Sequence, residues 1–238
     1  MKRGIPLVIA LAALAGVVYW ALRQFRATAA LPEKPRTISQ VVEVLGPRIR
    51  PTLKADFARA GLPFPPSNVT LLAFKEERRL ELWSRDATGS PHLIKSYEIL
   101  GASGGPGPKL REGDRQVPEG FYRIELLNPN SKYHLSLRVN YPNPDDIANA
   151  RVEERDLKNL GSDIMIHGGS GSSGCLAMGD EAVEEIFYLG SQMDLDDLRL
   201  TILPSDLRKT QAAVPEGAPS WTEALYERLR DEVARFPR

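Results

Sequence analysis

The chain contains a single cysteine, Cys175, which lies eight positions after a histidine, His167. The segment between them is almost entirely glycine and serine, and glycine accepts positive φ at little steric cost, so this segment can fold back on itself. A thiol with its ordinary pKa of about 8.5 is mostly protonated at neutral pH and needs a base to become nucleophilic. The pair is therefore a candidate for a cysteine nucleophile with a histidine base, and the alternative is that Cys175 is a small buried apolar residue. The N–H groups of Gly174 and Cys175 are candidates for binding an oxyanion.

Short elements on either side would position this pair. The apolar run Ile164-Met165-Ile166 predicts a buried strand that ends at His167. The apolar spacing after Cys175 predicts a helix over 181–193, for which Asp180 is a candidate N-cap. We therefore expect the two reactive side chains on a strand–loop–helix unit.

Alternating and continuous apolar runs elsewhere predict a mainly β domain. The first three runs, separated by polar turns, predict an antiparallel meander. The predicted strands cover 69–74, 79–84, 93–100, 121–127, 135–139 and 198–203. One or two short helices are predicted within 39–60, where Pro47 and Pro51 interrupt the apolar pattern. A further helix is predicted from Asp145 or Asp146 to about Leu157. A C-terminal helix is predicted over 220–236, and its apolar stripe should pack against the domain.

The N-terminus indicates the cell envelope. No charged residue occurs from Gly4 to Leu22, a run that would span roughly 28 Å as a helix. An uncleaved membrane anchor over 1–26 is favoured over a cleaved signal peptide, because the run exceeds the usual apolar core of about 7–15 residues. Acidic and basic residues balance at 31 each, which gives no reason to expect a nucleic-acid partner.

Three segments resemble one known family. Ile166-His167-Gly168-Gly169 followed by Ser173-x-Cys175-x-Ala177-Met178-x-Asp180 resembles the catalytic signature of L,D-transpeptidases of the YkuD type, in particular their YafK-like branch. The segments Gly107-x-Lys109 … Gly113-Asp114 … Pro118-Glu119-Gly120 and Tyr141-Pro142-Asn143 match the same family. The wider family has a second histidine two positions before its cysteine; here Ser173 stands there, as in the YafK-like branch.

The resemblance implies an α+β, mainly β fold: a YkuD-like antiparallel β sandwich or barrel with flanking helices, preceded by the membrane helix. It implies a linker with short helices over 27–67, a catalytic domain over 68–205, and a linker with a C-terminal helix over 206–238. In the family, the cysteine attacks a diaminopimelate carbonyl of a peptidoglycan stem peptide, and an amine resolves the thioester.

By this match, Cys175 is the nucleophile and His167 the general base and acid. Gly168 would fix the imidazole through its carbonyl, Ser173 would orient the thiol or a carboxylate, and Gly174 would contribute to the oxyanion site. The substrate-binding candidates are Lys109, Tyr141 and Asn143. No metal and no organic cofactor is implied.

Two other functions remain open at this point. Water could resolve the thioester, which would make an L,D-endopeptidase or amidase that releases a wall-linked peptide or lipoprotein. Alternatively, the missing second histidine could mark a non-catalytic peptidoglycan-binding module. All three place the protein in the periplasm or cell envelope, held at the inner membrane by the N-terminal helix.

Overall fold

A computed structural model describes residues 30–211 and 213–237 of the chain. The predicted membrane helix over 1–26 lies outside these residues. Within the described ranges, no helix combines the length and the apolar character needed to cross a bilayer.

Nine strands form one sheet in the order β3-β2-β1-β9-β5-β6-β7-β8-β4. They are β1 (Val69–Phe74), β2 (Arg79–Arg85), β3 (Pro91–Glu98), β4 (Gly101–Ala102), β5 (Gly120–Asn128), β6 (Ser136–Val139), β7 (Met165–His167), β8 (Leu176–Ala177) and β9 (Leu198–Leu203). The predicted meander is confirmed, since β1 pairs antiparallel with β2 and β2 with β3.

The sheet is mixed, which corrects the expectation of a purely antiparallel one. β1 runs parallel to β9, and β7 runs parallel to β8. A parallel neighbour requires a crossover connection instead of a tight hairpin. The glycine-rich loop after His167 provides that connection for β7 and β8, with Gly169 and Gly174 at φ values of 68° and 103°.

Four α-helices lie in the described part of the chain: α1 (Ile38–Arg59), α2 (Pro144–Val152), α3 (Asp180–Gly190) and α4 (Thr222–Val233). Helix α1 is continuous over 22 residues, so the predicted interruption at Pro47 and Pro51 is wrong. Both prolines lie on its exposed face, where water can satisfy the carbonyl groups that lose their partners. Its opposite face is buried at every fourth residue from Val41 to Phe57.

The ends of two other helices differ from their predictions. Helix α2 is capped by Asn143, whose side chain accepts from the N–H of Asp146, and it ends at Val152 rather than near Leu157. Helix α3 begins after Gly179 and ends at Gly190, three residues earlier than expected. The carboxylate of Asp180 does not cap the helix; it accepts a hydrogen bond from the N–H of Gly169 at 2.9 Å.

Helix α4 packs against one face of the sheet, as its apolar stripe predicts. The shared core joins strands β1, β2 and β9 to the C-terminal segment; its residues are Leu72, Phe74, Trp83, Leu203, Leu207, Leu225, Tyr226, Leu229, Val233 and Phe236. Ten apolar side chains in one cluster make the C-terminal helix part of the folded domain.

A buried polar cluster fixes the long loop between β4 and β5. We call Lys75, Glu119 and Tyr226 the Glu119 cluster. The ammonium of Lys75 donates to Glu119 Oε1 at 2.9 Å and to the carbonyls of Gly107 and Val117 at 3.1 and 3.0 Å. Glu119 also accepts from the N–H of Gly107 at 2.9 Å and from the hydroxyl of Tyr226 at 2.8 Å. Helix α4 thus anchors the loop that approaches the candidate site.

Candidate active site

His167 is the last residue of β7, and its side chain is buried. Its Nδ1 lies 2.6 Å from the carbonyl oxygen of Gly168. A carbonyl oxygen only accepts, so Nδ1 carries the proton and the neutral ring keeps a free lone pair on Nε2. Burial lowers the pKa of His167, while the hydrogen bond to Gly168 opposes that effect. The imidazole is therefore neutral at pH 7, as a general base must be.

The ring of Tyr133 stacks on this imidazole, with 4.6 Å between ring centroids and 29° between planes. Tyr133 is itself more than half exposed. Because its ring is stacked on the imidazole, it shields one face of His167 from solvent. Its carbonyl also accepts from the N–H of Gly168 at 3.1 Å. Sequence analysis missed this residue because it precedes β6 in a turn and belongs to no recognised motif.

Gly168 occupies a place that no larger residue fits. A Cβ there would lie 2.5 Å from Asp180 Oδ1 and 2.7 Å from the carbonyl oxygen of Tyr133. Backbone and carboxylate atoms therefore enclose the residue that orients the imidazole. The expected contact between the Gly168 carbonyl and the ring is present.

Cys175 directly precedes β8, which is the parallel neighbour of β7. The register pairs Ile166 with Leu176 and His167 with Ala177. Neighbouring strands lie about 4.8 Å apart. The candidate nucleophile and the candidate base are therefore carried by adjacent segments of the sheet.

The resting thiol is protonated. Burial raises the pKa of Cys175; the N–H of Met165 and the positive charge of Lys109 act in the opposite direction, and the carboxylate of Asp163 adds to the increase. The S–H group donates to the carbonyl oxygen of Asp163 at 3.7 Å. Within the described residues no hydrogen bond joins the thiol to the imidazole, so the pair is not a preformed thiolate–imidazolium.

Hydroxyl groups hold the turn that carries the cysteine. The N–H of Gly174 donates to Ser103 Oγ at 2.6 Å, and Ser172 Oγ donates to the carbonyl of Cys175 at 2.6 Å. The two hydroxyl oxygens lie 3.3 Å apart. The N–H of Gly174 is thus occupied, contrary to the expectation of a free oxyanion donor. Sequence analysis missed Ser103 because it lies 71 positions from Gly174.

The side chain of Ser173 is exposed, and it makes no hydrogen bond within the part of the chain that the structure describes. The expected orienting contact with the thiol is therefore not present. The neighbouring Ser172 makes the local hydrogen bonds instead.

Lys109 is buried beside the nucleophile but is already paired. Its ammonium donates to Asp114 Oδ1 at 2.6 Å and to the carbonyl of Arg111 at 2.8 Å. The expectation that Lys109 binds a substrate carboxylate stays a prediction; in this structure its ammonium is paired with Asp114 inside the loop. Its remaining effect on the site is to lower the pKa of Cys175.

Tyr141 and Asn143 support the site from below its surface. The hydroxyl of Tyr141 donates to the carbonyl of Leu160 at 3.0 Å, and its ring is buried. Asn143 caps α2, and its Nδ2 donates to the carbonyl of Phe121 at 2.8 Å. These internal contacts use the polar groups of both residues, and the expectation that the two residues bind substrate stays a prediction.

The described residues contain no group of three or more His, Cys, Asp or Glu side chains that could hold a metal ion.

Comparison with known proteins identifies the class. Residues 68–193 match the YkuD family model, described as the L,D-transpeptidase catalytic domain. This match covers more than half of the 238 residues, and the chain belongs to the YkuD L,D-transpeptidase catalytic domain family. The family resemblance found in the sequence motifs is thereby confirmed.

Particular relatives are similar over part of their length. Over 124 residues the chain is 40% identical to "Putative L,D-transpeptidase YafK" of Escherichia coli, in strains K12 and O157:H7. The match covers 51% of this chain and 46% of that protein, so the chain spans about half the length of these curated relatives.

Two solved structures show partial likeness. Bd1075 of Bdellovibrio bacteriovorus is 21% identical with a TM-score of 0.42, over 71% of this chain and 55% of that one. The helical cell shape determining protein Pgp2 from Campylobacter jejuni is 16% identical with a TM-score of 0.47, over 72% of this chain and 71% of that one.

Proposed function

We propose that the protein is a cysteine acyltransferase that forms a thioester at Cys175 with a peptidoglycan stem peptide and transfers the acyl group to an amine. One observation carries the proposal: the sole thiol directly precedes β8, the strand next to β7, and β7 ends at an imidazole whose neutral tautomer is fixed by the Gly168 carbonyl. Family membership supplies the substrate class.

The mechanism begins from a protonated thiol. The proton moves from Sγ of Cys175 to Nε2 of His167 as the sulfur attacks the carbonyl carbon of the scissile amide. The imidazolium then gives this proton to the leaving amine, and the thioester forms. The acceptor amine attacks the thioester, loses a proton to the neutral imidazole, and expels the thiolate, which is protonated again.

The oxyanion of each tetrahedral intermediate needs N–H donors. The N–H of Gly174 can donate to the oxyanion only when the Ser103 hydroxyl turns away from it, because the two groups are hydrogen-bonded in the structure. This requirement couples substrate binding to a change in the loop between β4 and β5.

Muropeptides incubated with the purified full chain and analysed by mass spectrometry test the proposal. Crosslinked products that are lost in Cys175→Ala would support acyl transfer to an amine. Shortened stems without crosslinks would favour the hydrolase instead. No product, together with a Cys175 that resists iodoacetamide in the folded protein, would favour a non-catalytic binding module.

We also propose that the protein acts in the periplasm, anchored to the inner membrane by residues 1–26. The support is the charge-free run from Gly4 to Leu22 behind two basic residues. Membrane fractionation and the mass of the mature N-terminus test this; recovery of a soluble, shortened protein would exclude the anchor.

A further inference from the structure

A cleft of about 610 Å³ opens beside the loop that holds the nucleophile turn. This volume lies within the usual range of ligand pockets, about 300–1,000 Å³. One wall is the loop segment 106–116, and another is the segment 215–219, which we call the C-terminal strap. Arg155, Asp156 and Asn159 complete the lining. The strap lies beyond residue 193, where the match to the family model ends.

The loop wall also contacts the turn that carries Cys175. The carbonyl oxygen of Gln116 lies 3.3 Å from the position of a Cβ on Gly174, and Ser103 of the same loop binds the N–H of Gly174. Lys109 is close enough for its charge to act on the thiol. A ligand in the cleft therefore lies against the segment that positions the nucleophile.

Both walls are held in place. The Glu119 cluster ties Gly107 in the loop wall to Tyr226 of α4, the helix that follows the strap. Within the loop, Asp114 accepts from the backbone N–H groups of Leu110 and Arg111 at 2.9 and 3.0 Å. The cleft is thus formed before a ligand binds, which reduces the entropic cost of binding.

The charged groups of the cleft are not all paired. Asp114 is used by Lys109, and Asp156 caps the short turn Leu157–Asn159. Arg155 also lines the cleft, but it pairs with Glu153 and donates to the carbonyl of Leu110. The guanidinium of Arg111 and the carboxylate of Glu216, one on each wall, have no hydrogen bond or ion pair within the described residues. Among the lining residues that the structure describes, one cation and one anion thus remain for a ligand.

We propose that this cleft binds a zwitterionic amino-acid centre of a peptide, with its carboxylate on Arg111 and its ammonium on Glu216. A planar guanidinium suits a carboxylate because it can donate two parallel hydrogen bonds. The inference rests on the proposed function, since a diaminopimelate-containing stem is a peptide whose side chain ends in such a centre. It makes Arg111, rather than the neutralised Lys109, the residue that selects the carboxylate.

Binding to the full-chain Cys175→Ala protein, measured by calorimetry, tests the proposal without turnover. The probes are a synthetic stem peptide with a free diaminopimelate side-chain centre, the same peptide amidated at that carboxylate, and the same peptide acetylated at that amine. We expect the free peptide to bind about 3–30-fold more tightly than either modified form, the range for one charge-assisted contact at a partly exposed site.

Two variants assign the contacts. Arg111→Gln should remove the preference over the amidated peptide, and Glu216→Gln should remove the preference over the acetylated one. Arg151→Gln is the matched control, because Arg151 is an exposed arginine on α2 that does not line the cleft. It should bind all three probes as the parent protein does.

Equal binding of the three peptides to the parent protein would overturn the proposal, as would an unchanged preference in Arg111→Gln. These outcomes are separate from failure of the proposed function. A protein that discriminates the peptides but forms neither thioester nor product would keep the cleft and lose the acyl transfer.

Discussion

The Glu119 cluster and the His167–Cys175 pair are both polar, but only the first is both buried and fully hydrogen-bonded. All three donors of the Lys75 ammonium have acceptors, and both oxygens of Glu119 have donors. At the candidate site, no hydrogen bond to Nε2 of His167 occurs among residues 30–211 and 213–237, and the thiol makes a long contact of 3.7 Å with the carbonyl of Asp163. Complete pairing gives rigidity, whereas incomplete pairing leaves atoms available for reaction.

The largest expected difference between the two regions is in turnover. Cys175→Ala should abolish product formation but leave the thermal midpoint nearly unchanged, because the thiol is only partly buried and makes only weak contacts with the backbone of Asp163 and Met165. Product assays and thermal melts of the same preparation measure both quantities. Ser173→Ala is the control and should keep most activity. A large fall in the melting temperature of Cys175→Ala would instead make the thiol a core group.

Glu119→Ala should produce the reverse pattern, a large loss of stability. Removal of the carboxylate leaves the buried Lys75 without its counter-charge, and breaking a buried pair costs about 3–5 kcal/mol. Urea unfolding measures the change. Tyr226→Phe, which removes one hydrogen bond from the same carboxylate, should cost less, about 1.5–3 kcal/mol. Equal, small losses in both variants would show that the cluster does not stabilise the loop.

Gly168→Ala should lower turnover, because the packing around Gly168 fixes the position of the imidazole. The new methyl group would clash with Asp180 Oδ1 and the Tyr133 carbonyl, which displaces the imidazole. A misplacement on the order of 1 Å can lower the rate of turnover about 100-fold. Gly171→Ala is the control, since a Cβ there has no atom within 4 Å and no positive φ to strain. Comparable rates for the two variants would separate Gly168 from the mechanism.

The smallest expected effect is a shift in the pH dependence of turnover. Burial lowers the pKa of His167, so the acid limb of the turnover profile should fall below the ordinary histidine value of about 6.5. Because the pKa of His167 is lower in the folded state, the unfolded chain binds the proton more readily than the folded protein does. The contribution of neutral His167 to the free energy of unfolding is therefore complete above pH 6.5, and it is lost as the pH falls through the folded-state pKa.

Turnover rates measured between pH 4 and 8 give the acid limb, and urea unfolding over the same range gives the loss of stability. His92→Gln, a change at a more exposed histidine, is the control. An acid limb above 6.5 would contradict the assignment of His167 as a buried neutral base.

Local patterns predicted much of the fold. The strands of the meander, the strand ending at His167 and the stripe of α4 were identifiable because periodicity records which side chains are buried. Helix α1 was predicted in pieces, because the cost of an internal proline depends on whether its face of the helix meets water or the core. The parallel neighbours of β1 and β7 depend on the path of the chain, which periodicity does not contain.

The sequence alone determined that one thiol, one histidine and a flexible glycine-rich loop lie together, and that three motifs match one family. Only the tertiary structure decided which polar groups in and around this segment already have partners. Asp114 neutralises Lys109, Ser103 occupies the N–H of Gly174, and Tyr133 covers the ring of His167. The physical reason is that hydrogen bonding and burial are set by partners distant in the chain: Ser103 and Gly174 meet only because β4 pairs with β8.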